Sequence, residues 1–359
     1  MAKTKSDDND FFNSAIKSLE NEYASTVEKG IETGDVSGWI STGSYALNAL
    51  ISGSIYGGVA ANKITTLAGD PSTGKSFYAL NVVGEFFKAN PTGYAFYFET
   101  ESAIHSGMLE SRGINKKRFA MVPVSTVEEF RTQSTRILDK YLAEKVADRK
   151  PIIFVLDSLG NLSTSKEMED IQTASDKRDM TRAPLLKGAF RVLNLKLGKA
   201  KVPLIVTNHV YALIGAYGNQ KDEGGGSGSK YASTTTVYLS KSKFKEQEEI
   251  KGVIIKAKLK KSRLSVENRT VTTLLRYDTG LDKYYGLLEL AVKFGVVQKA
   301  TSSMYTFPNG FSGKESEINK NPEKFYTKDV LDAIDAKCPD EFLYGNSSLT
   351  EETSDEEKS

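Results

Sequence analysis

The chain has 359 residues, a formal net charge of +2, 39% hydrophobic residues and 26% charged residues. This composition is typical of a globular protein and excludes a predominantly disordered chain. No run of about eighteen apolar residues occurs, so the sequence excludes a membrane-spanning helix, and we expect no membrane partner.

The charges are unevenly distributed along the chain. The last eleven residues carry five acidic side chains and one lysine, a net charge of −4, which leaves +6 on residues 1–348. A mildly basic body with an acidic tail suits the binding of a polyanion in competition with the tail. A solvated, disordered terminus explains the same charges equally well.

Two features bear on the cellular compartment. The N-terminal residues lack the apolar segment of a signal peptide. The one cysteine, Cys338, cannot form a disulfide within the chain, and its simplest interpretation is a small buried residue. Both features predict a cytoplasmic protein.

The first predicted element is a helix over residues 9–30, in which apolar side chains recur at helical spacing. Residues 30–44 are richer in Gly, Ser and Thr, which predicts a linker into the main domain. From residue 63 onward, predicted strands and helices alternate. The strands cover residues 64–67, 94–98, 119–124, 152–157 and 203–209. The helices cover residues 75–88, a short segment near Met108, and residues 128–142 and 184–197.

The apolar segments 152–157 and 203–209 are typical of strands that are buried on both faces of a parallel sheet. Three later segments alternate more between apolar and polar residues and predict an antiparallel edge; they cover residues 234–239, 253–258 and 271–277. Two further helices are predicted, over residues 287–294 and 326–336. The pattern predicts an α/β fold with a central, mostly parallel sheet flanked by helices.

A phosphate-binding loop follows the first of these strands. The pattern G-x-x-x-x-G-K-[ST] is matched by Gly69, Asp70, Pro71, Ser72, Thr73, Gly74, Lys75 and Ser76. The glycines let successive backbone N–H groups point at one anion, and the following helix directs its positive end at the same place. We expect Lys75 to contact the β- and γ-phosphates of ATP and the Ser76 hydroxyl to bind Mg²⁺.

Acidic residues follow two other predicted strands. Asp157 ends a buried strand, at the edge of the sheet where ligands of such folds bind, and is predicted to hold Mg²⁺ through water. Glu99 and Glu101 follow the strand over residues 94–98, and either could polarise the water that attacks the γ-phosphate. Solvated loop acids are the alternative interpretation of that pair.

The blocks GDPSTGKS, FYFETESAI, FVLDSLGNL, VTNHV and LKKSR occur in this order and spacing. As a set they resemble the RecA-type recombinases, and most of all the phage subfamily known as UvsX. The resemblance covers roughly residues 35–310. It implies a RecA-like ATPase core over residues 35–295, preceded by an N-terminal helical segment for oligomerisation and subunit docking (1–34). It also implies a small C-terminal region (296–340) and an acidic, disordered tail (341–359).

The resemblance assigns roles to individual residues. Glu101 takes the place of the catalytic glutamate, and His209 that of a residue that senses the γ-phosphate; read alone, His209 is a structural histidine. Lys261 and Arg263 match a pair that reaches the ATP of the neighbouring subunit in a filament, although by themselves they resemble a solvated strand face. Met108 stands where the family usually stacks an aromatic ring on the adenine.

Two polar segments match the family's DNA-binding loops, which line the filament axis and hold single-stranded DNA. The first spans residues 163–180 and has cations at its far end; the second spans residues 210–231 and is rich in glycine. The predicted DNA contacts are Lys177, Arg178, Arg182, Tyr217, Gly218 and Asn219. A disordered linker is the alternative for each segment.

The resemblance implies an ATP- and Mg²⁺-dependent recombinase that forms a filament on single-stranded DNA and exchanges strands with duplex DNA. Implied partners are other copies of the chain, a phage single-strand-binding protein and a recombination mediator, in the cytoplasm of a bacterial host. Two rival functions share the same motifs: a hexameric DNA helicase, and a recombinase-like accessory factor without turnover. Phe12 and Ala15 also fit an F-x-x-A spacing used for subunit docking by related recombinases, but the pattern is short and we favour core packing as its interpretation.

Overall fold

The computed structural model describes residues 7–21, 24, 26–27, 31, 34–173, 180–212, 221–223, 232–246 and 249–345. The helices of this part of the chain are α1 Asp7–Ser18, α2 Tyr45–Ser52, α3 Lys75–Ala89, α4 Ser106–Glu110, α5 Val127–Ala143, α6 Ser165–Gln172, α7 Arg182–Ala200, α8 Leu287–Lys293, α9 Glu315–Lys320, α10 Pro322–Phe325 and α11 Lys328–Phe342. The strands are β1 Trp39–Ile40, β2 Val59–Ala60, β3 Ile64–Gly69, β4 Tyr94–Glu99, β5 Phe119–Pro123, β6 Ile152–Asp157, β7 Leu204–Ala212, β8 Lys221–Glu223, β9 Thr235–Glu246, β10 Glu249–Ser262, β11 Thr270–Arg276, β12 Gly280–Leu281, β13 Gln298–Lys299, β14 Met304–Thr306 and β15 Ser312–Lys314.

The central sheet has the strand order β12-β11-β10-β9-β3-β7-β6-β4-β5, and β8 pairs with β7 at its margin. The strands from β9 to β5 along this order are parallel. The pairs β9–β10, β10–β11 and β11–β12 are antiparallel. The predicted α/β fold with a mostly parallel sheet and an antiparallel edge is therefore confirmed. One detail differs. The segment over residues 234–239 was predicted to belong to the antiparallel edge, but β9 pairs in parallel with β3 and is antiparallel only to β10.

Buried side chains form one cluster on each face of this sheet. In β6, Ile153 and Val155 belong to the cluster that contains α2 and α3, whereas Phe154 and Leu156 belong to the cluster that contains α5 and α7. This alternation is what a strand covered by helices on both faces requires. Among the described residues, no helix is long and apolar enough to cross a membrane.

The C-terminal part of the chain shares the first of these cores. Side chains from α9, α10 and α11 pack in the same cluster as α2 and α3. Cys338 on α11 is fully buried, and burial raises the pKa of its thiol to about 12, so the thiol stays protonated and unreactive. The domain boundaries themselves remain predictions.

Several predicted segments have different bounds in the structure. Helix α1 ends at Ser18 instead of reaching residue 30. Helix α11 begins at Lys328 and reaches Phe342, two residues into the predicted tail. Glu341 is buried there, and its Oε1 lies 3.2 Å from Nε of Arg269 and 2.7 Å from Nζ of Lys293. It therefore belongs to the fold rather than to an acidic tail. Residues 346–359 lie outside the described part.

Helix α2 follows the segment that was predicted to be a linker, and nothing in the sequence pattern indicated it. The Ser44 hydroxyl accepts a hydrogen bond from the Leu47 backbone N–H, which caps the start of the helix. All eight residues of α2 are buried. A helix that is buried on every side has no polar face, so it leaves no amphipathic period to read.

Candidate nucleotide-binding site

The carboxyl ends of four parallel strands meet at one edge of the sheet and bring the predicted site residues together. Gly69 at the end of β3 pairs in register with His209 of β7. Glu99 at the end of β4 pairs with Asp157 at the end of β6. We call this the nucleotide edge.

The loop over residues 69–76 has the backbone that a phosphate-binding loop needs. Gly74 has a φ of 84° and Ser72 a φ of 60°, both in the left-handed region. A side chain at Gly69 would come within 2.5 Å of the Leu239 carbonyl oxygen, so only glycine fits where the loop leaves β3. Helix α3 then begins at Lys75, and its first N–H groups lie beside the loop.

Lys75 is buried at the centre of this edge, 7% exposed. Its ammonium donates to the carbonyl oxygens of Gly69 at 3.1 Å and Asp70 at 3.0 Å. Burial lowers the pKa of Lys75, and the charges of Asp157, Glu101 and Asp70 oppose that shift. The ammonium is thus held at the loop by backbone oxygens, with carboxylates close by.

Asp157 is held by two hydroxyl groups from neighbouring strands. Tyr97 on β4 donates to Oδ2 at 2.5 Å, and Thr207 on β7 donates to Oδ1. Burial raises the pKa of the Tyr97 hydroxyl well above its usual value, and the Asp157 charge adds to the effect, so Tyr97 remains a donor. The two bonds fix the carboxylate without neutralising it, as a group that must face a cation requires.

His209 lies between Lys75 and Glu101. Its Nδ1 is 3.5 Å from the Lys75 ammonium, and its Nε2 is 3.4 Å from Glu101 Oε1. Because an ammonium can only donate, Nδ1 is the acceptor and the hydrogen on Nε2 faces the carboxylate. The same Glu101 oxygen accepts a 2.7 Å hydrogen bond from the Ser158 hydroxyl. A chain of polar contacts therefore joins the phosphate-binding loop, His209 and Glu101.

The two glutamates after β4 have different surroundings. Glu99 is 7% exposed, and its Oε1 accepts hydrogen bonds from the backbone N–H groups of Glu101 at 3.1 Å and Ala103 at 2.8 Å. It stabilises the turn that carries Glu101. Glu101 itself is about one third exposed and faces the site. The geometry therefore favours Glu101 over Glu99 as the residue that could reach a water molecule at a bound phosphate.

The chemistry of the donor set fits a magnesium ion whose other ligands come from phosphates and water. The Ser76 hydroxyl makes no hydrogen bond within the described part of the chain, and it follows Lys75 directly on the first turn of α3. Asp157 supplies an oriented carboxylate on the adjoining strand edge. No cluster of three or more His, Cys, Asp or Glu residues suited to a metal occurs among the described residues. Phosphate and water oxygens are the ligands that would complete the coordination of Mg²⁺ here.

One cation at this edge was not predicted. Lys241 of β9 donates a 2.9 Å hydrogen bond to the Ser72 carbonyl oxygen in the phosphate-binding loop. Its charge also contributes to the lowered pKa of Lys75, after the effect of burial. The partners are 169 positions apart in the chain, so no local motif could reveal the contact.

Lys261 and Arg263 lie at the opposite edge of the sheet. Lys261 pairs with Thr236, and the backbone N–H of Arg263 donates to the Thr234 carbonyl oxygen, where β9 begins. Since β9 runs parallel to β3, these cations are level with the start of β3 and not with the phosphate-binding loop. The structure therefore does not bring them to the nucleotide edge of their own chain.

Among the residues predicted to contact DNA or adenine, only Arg182 and Met108 lie in the described part of the chain. Lys177, Arg178, Tyr217, Gly218 and Asn219 lie outside the described residues. The Arg182 guanidinium donates to the carbonyl oxygens of Leu159, Gly160 and Leu162, so here it supports the turn after β6. Met108 lies on α4 and packs against the core cluster of α3. Its contact with adenine remains a prediction.

Most of the chain is similar to known proteins. A model of the RecA N-terminal domain matches residues 10–282. The "Recombination and repair protein" of Enterobacteria phage T4 is 29% identical over 259 residues, which cover 72% of this chain and 64% of that protein. "Protein RecA" of a Brugia malayi Wolbachia is 28% identical over 310 residues, or 86% and 82% of the two chains. "Protein RecA" of Caulobacter sp. K31 is 29% identical over 265 residues, or 73% and 70%.

Proposed function

Because the chain belongs to the RecA family, we propose that it is an ATP-dependent homologous recombinase that forms a filament on single-stranded DNA. In this proposal it pairs the bound strand with duplex DNA and drives strand exchange in phage recombination, repair and recombination-dependent replication. The name of the T4 relative, a recombination and repair protein, supports this direction. A phage single-strand-binding protein and a recombination mediator are the proposed partners, in the cytoplasm of the bacterial host.

The observation that carries the proposal is that the nucleotide-binding groups and a pair of cations lie at opposite ends of the parallel strands. The residues that can hold ATP and Mg²⁺ lie at the nucleotide edge, whereas Lys261 and Arg263 lie at the other edge. The two edges are separated by the length of β3, about 20 Å for six residues. Cations at that distance can act only on the nucleotide of another copy. A head-to-tail assembly that does not close produces a filament.

Bound ATP and Mg²⁺ would supply the phosphoryl group and the charge that activates it. Lys75 would contact the terminal phosphates, the Ser76 hydroxyl would bind the metal, and Asp157 would hold it through water. Glu101 orients the attacking water and accepts its proton. Lys261 and Arg263 of the next copy neutralise the charge that develops on the γ-phosphate.

The N-terminal helix supports assembly from copies of the chain. Phe11 is 77% exposed and Phe12 is 52% exposed, so neither packs in the core of its own chain. An aromatic pair left outside the core on a short helix suits docking on a second copy. This favours the docking interpretation of the F-x-x-A spacing over the core-packing one.

His209 connects the nucleotide edge to the second predicted DNA-binding loop. It contacts Lys75 and Glu101, and the segment over residues 210–231, the second predicted DNA-binding loop, begins at the next residue. A γ-phosphate placed between Lys75 and Glu101 would replace these contacts and shift His209. Nucleotide state would then bias the conformation of the loop.

A fluorescence strand-exchange assay tests the proposed function. With ATP and Mg²⁺ we expect joint molecules between a single-stranded oligonucleotide and homologous duplex DNA, and none with a heterologous duplex. Absence of joint molecules despite DNA-stimulated hydrolysis would reject the recombinase and favour the helicase. Electron micrographs with a slowly hydrolysed ATP analogue separate the two independently, since a recombinase gives long filaments and a hexameric helicase gives rings.

A further inference from the structure

Arg112 follows helix α4 and connects it to helix α3. Its Nη1 donates a hydrogen bond to the Met108 carbonyl oxygen at 2.7 Å. Its guanidinium carbon lies 4.0 Å from the centroid of the Phe77 ring, which is within the range of a cation–π contact. Phe77 lies on the first turn of α3, directly after Ser76. One side chain therefore contacts both the residue predicted to lie against adenine and the helix that follows the phosphate-binding loop.

Helix α4 needs such a contact because it is short. It has five residues, Ser106–Glu110, fewer than a helix needs to be stable through its own hydrogen bonds. Leu109 is buried, and Met108 is partly buried against the core. Arg112 donates to a carbonyl near the C-terminus of the helix, where the helix dipole favours a positive charge. The packing of Leu109 and the hydrogen bond from Arg112 therefore hold Met108 in place together.

The burial of Arg112 costs the fold stability. The side chain is half-buried, and it forms no ion pair with a residue in the described part of the chain. Burial lowers the pKa of its guanidinium, and its Nε is buried without a hydrogen-bond partner among the described residues. A methionine or leucine side chain would occupy this place without the desolvated charge and the unsatisfied donor. The contacts of Arg112 therefore indicate a role in placing α4 rather than in stabilising the chain.

We propose that Arg112 is a positioning residue for the nucleobase, because it holds Met108 in a fixed place beside α3. This inference rests on the proposed ATP site and on the predicted contact of Met108 with adenine. The phosphates are expected to contact the loop over residues 69–76, and within the described part of the chain Arg112 makes no hydrogen bond to that loop. Loss of Arg112 should therefore weaken the binding of the base and leave the binding of the phosphates unchanged.

Two ligands separate these contributions when each is titrated calorimetrically with Mg²⁺ and without DNA. ATP carries the base, whereas inorganic tripolyphosphate has the phosphates alone. Arg112→Met should weaken the binding of ATP about tenfold and change the affinity for tripolyphosphate by less than about twofold. The thermal midpoint of the free protein should stay the same or rise, because the variant removes a desolvated charge and an unsatisfied donor.

The stacked pair offers a second variant and a matched control. Phe77→Leu removes the ring beneath the guanidinium and should give the same selective loss of ATP affinity, even if Arg112→Met folds poorly. The double variant should lose little more than either single variant, because the two residues act through one contact. Arg118 stacks on Phe87 near the other end of α3, with its guanidinium carbon 4.8 Å from the ring centroid. Arg118→Met should therefore leave both affinities unchanged.

The outcomes distinguish this inference from the proposed function. A loss confined to ATP in both Arg112→Met and Phe77→Leu supports the positioning role. Equal losses for ATP and tripolyphosphate would show that Arg112 supports the phosphate-binding loop, and the inference would be wrong. A lower thermal midpoint with unchanged ATP affinity would make Arg112 a structural residue and would also refute the inference. If the wild-type protein binds neither ligand, the proposed ATP site itself is refuted.

Discussion

The two edges of the central sheet bring together different groups. At the nucleotide edge, three carboxylates, Asp157, Glu101 and Asp70, oppose the lowering of the pKa of Lys75 by burial. At the opposite edge, the charge of Asp35 raises the pKa of Lys63 and the charge of Arg263 lowers it. The first set of residues follows sequence motifs, whereas the second comes from segments that are distant in the chain.

The largest expected effect comes from removing Lys75, the central cation of the nucleotide edge. Lys75→Ala should reduce ATP hydrolysis by about 1000-fold or more, because the ammonium neutralises the transferring phosphoryl group. Steady-state phosphate release measures the loss, and Lys88→Ala is the exposed control. Turnover within a few fold of wild type would show that the phosphate-binding loop is not the working site.

The two glutamates of the nucleotide edge should respond in different ways. Glu101→Gln should lower turnover by about 100-fold to 1000-fold without lowering the thermal midpoint, because a general base is lost and no buried contact is broken. Glu99→Gln should lower the thermal midpoint, because a buried carboxylate that accepts two backbone N–H groups is replaced. Equal loss of turnover in both, with unchanged midpoints, would contradict the distinction.

The cations of the opposite edge should affect hydrolysis only when copies assemble. Lys261→Ala and Arg263→Ala should each lose about tenfold to 100-fold of the DNA-stimulated rate, less than a lone arginine finger because two cations share the charge. The affinity for a fluorescent ATP analogue should stay within about threefold, since neither residue lies at the nucleotide edge of its own chain. Normal stimulated rates in both variants would refute their action on a neighbour.

The smallest expected effect comes from Lys241, whose contact with the Ser72 carbonyl oxygen was not predicted from the sequence. Lys241→Ala should weaken nucleotide binding by about twofold to tenfold, the value of one hydrogen bond to the Ser72 carbonyl oxygen. Lys243→Ala, two residues along the same strand, is the matched control and should bind normally. An equal loss in both variants would point to the general charge of the strand rather than to this contact.

The sequence predicted the nucleotide edge well because local patterns encode it. A strand, a glycine-rich loop and a helix are contiguous in the chain, and an acid at the end of an apolar strand must lie at the same edge as that loop. Chain order alone therefore places Lys75, Ser76 and Asp157 at one site. Family resemblance then separates Glu101 from Glu99, and the structure gives a physical reason for that choice in the two backbone bonds of Glu99.

The opposite edge was much harder to predict because its residues come from distant segments. Lys63, Arg191 and Arg263 meet only after β3, α7 and β10 have packed. Read singly, each is an ordinary surface cation. Helix α2 is contiguous in the chain but was not predicted. It is buried on every side, so it lacks the polar face by which a helix is recognised in a sequence.

We propose that a nucleotide shared between adjacent copies controls the hold on single-stranded DNA. The most direct test is the ATPase rate per chain, measured with and without a single-stranded oligonucleotide over a range of protein concentrations. We expect the oligonucleotide to raise the rate, and dilution to lower it as neighbours separate. A rate that is the same with and without the oligonucleotide, and constant on dilution, would contradict the shared site.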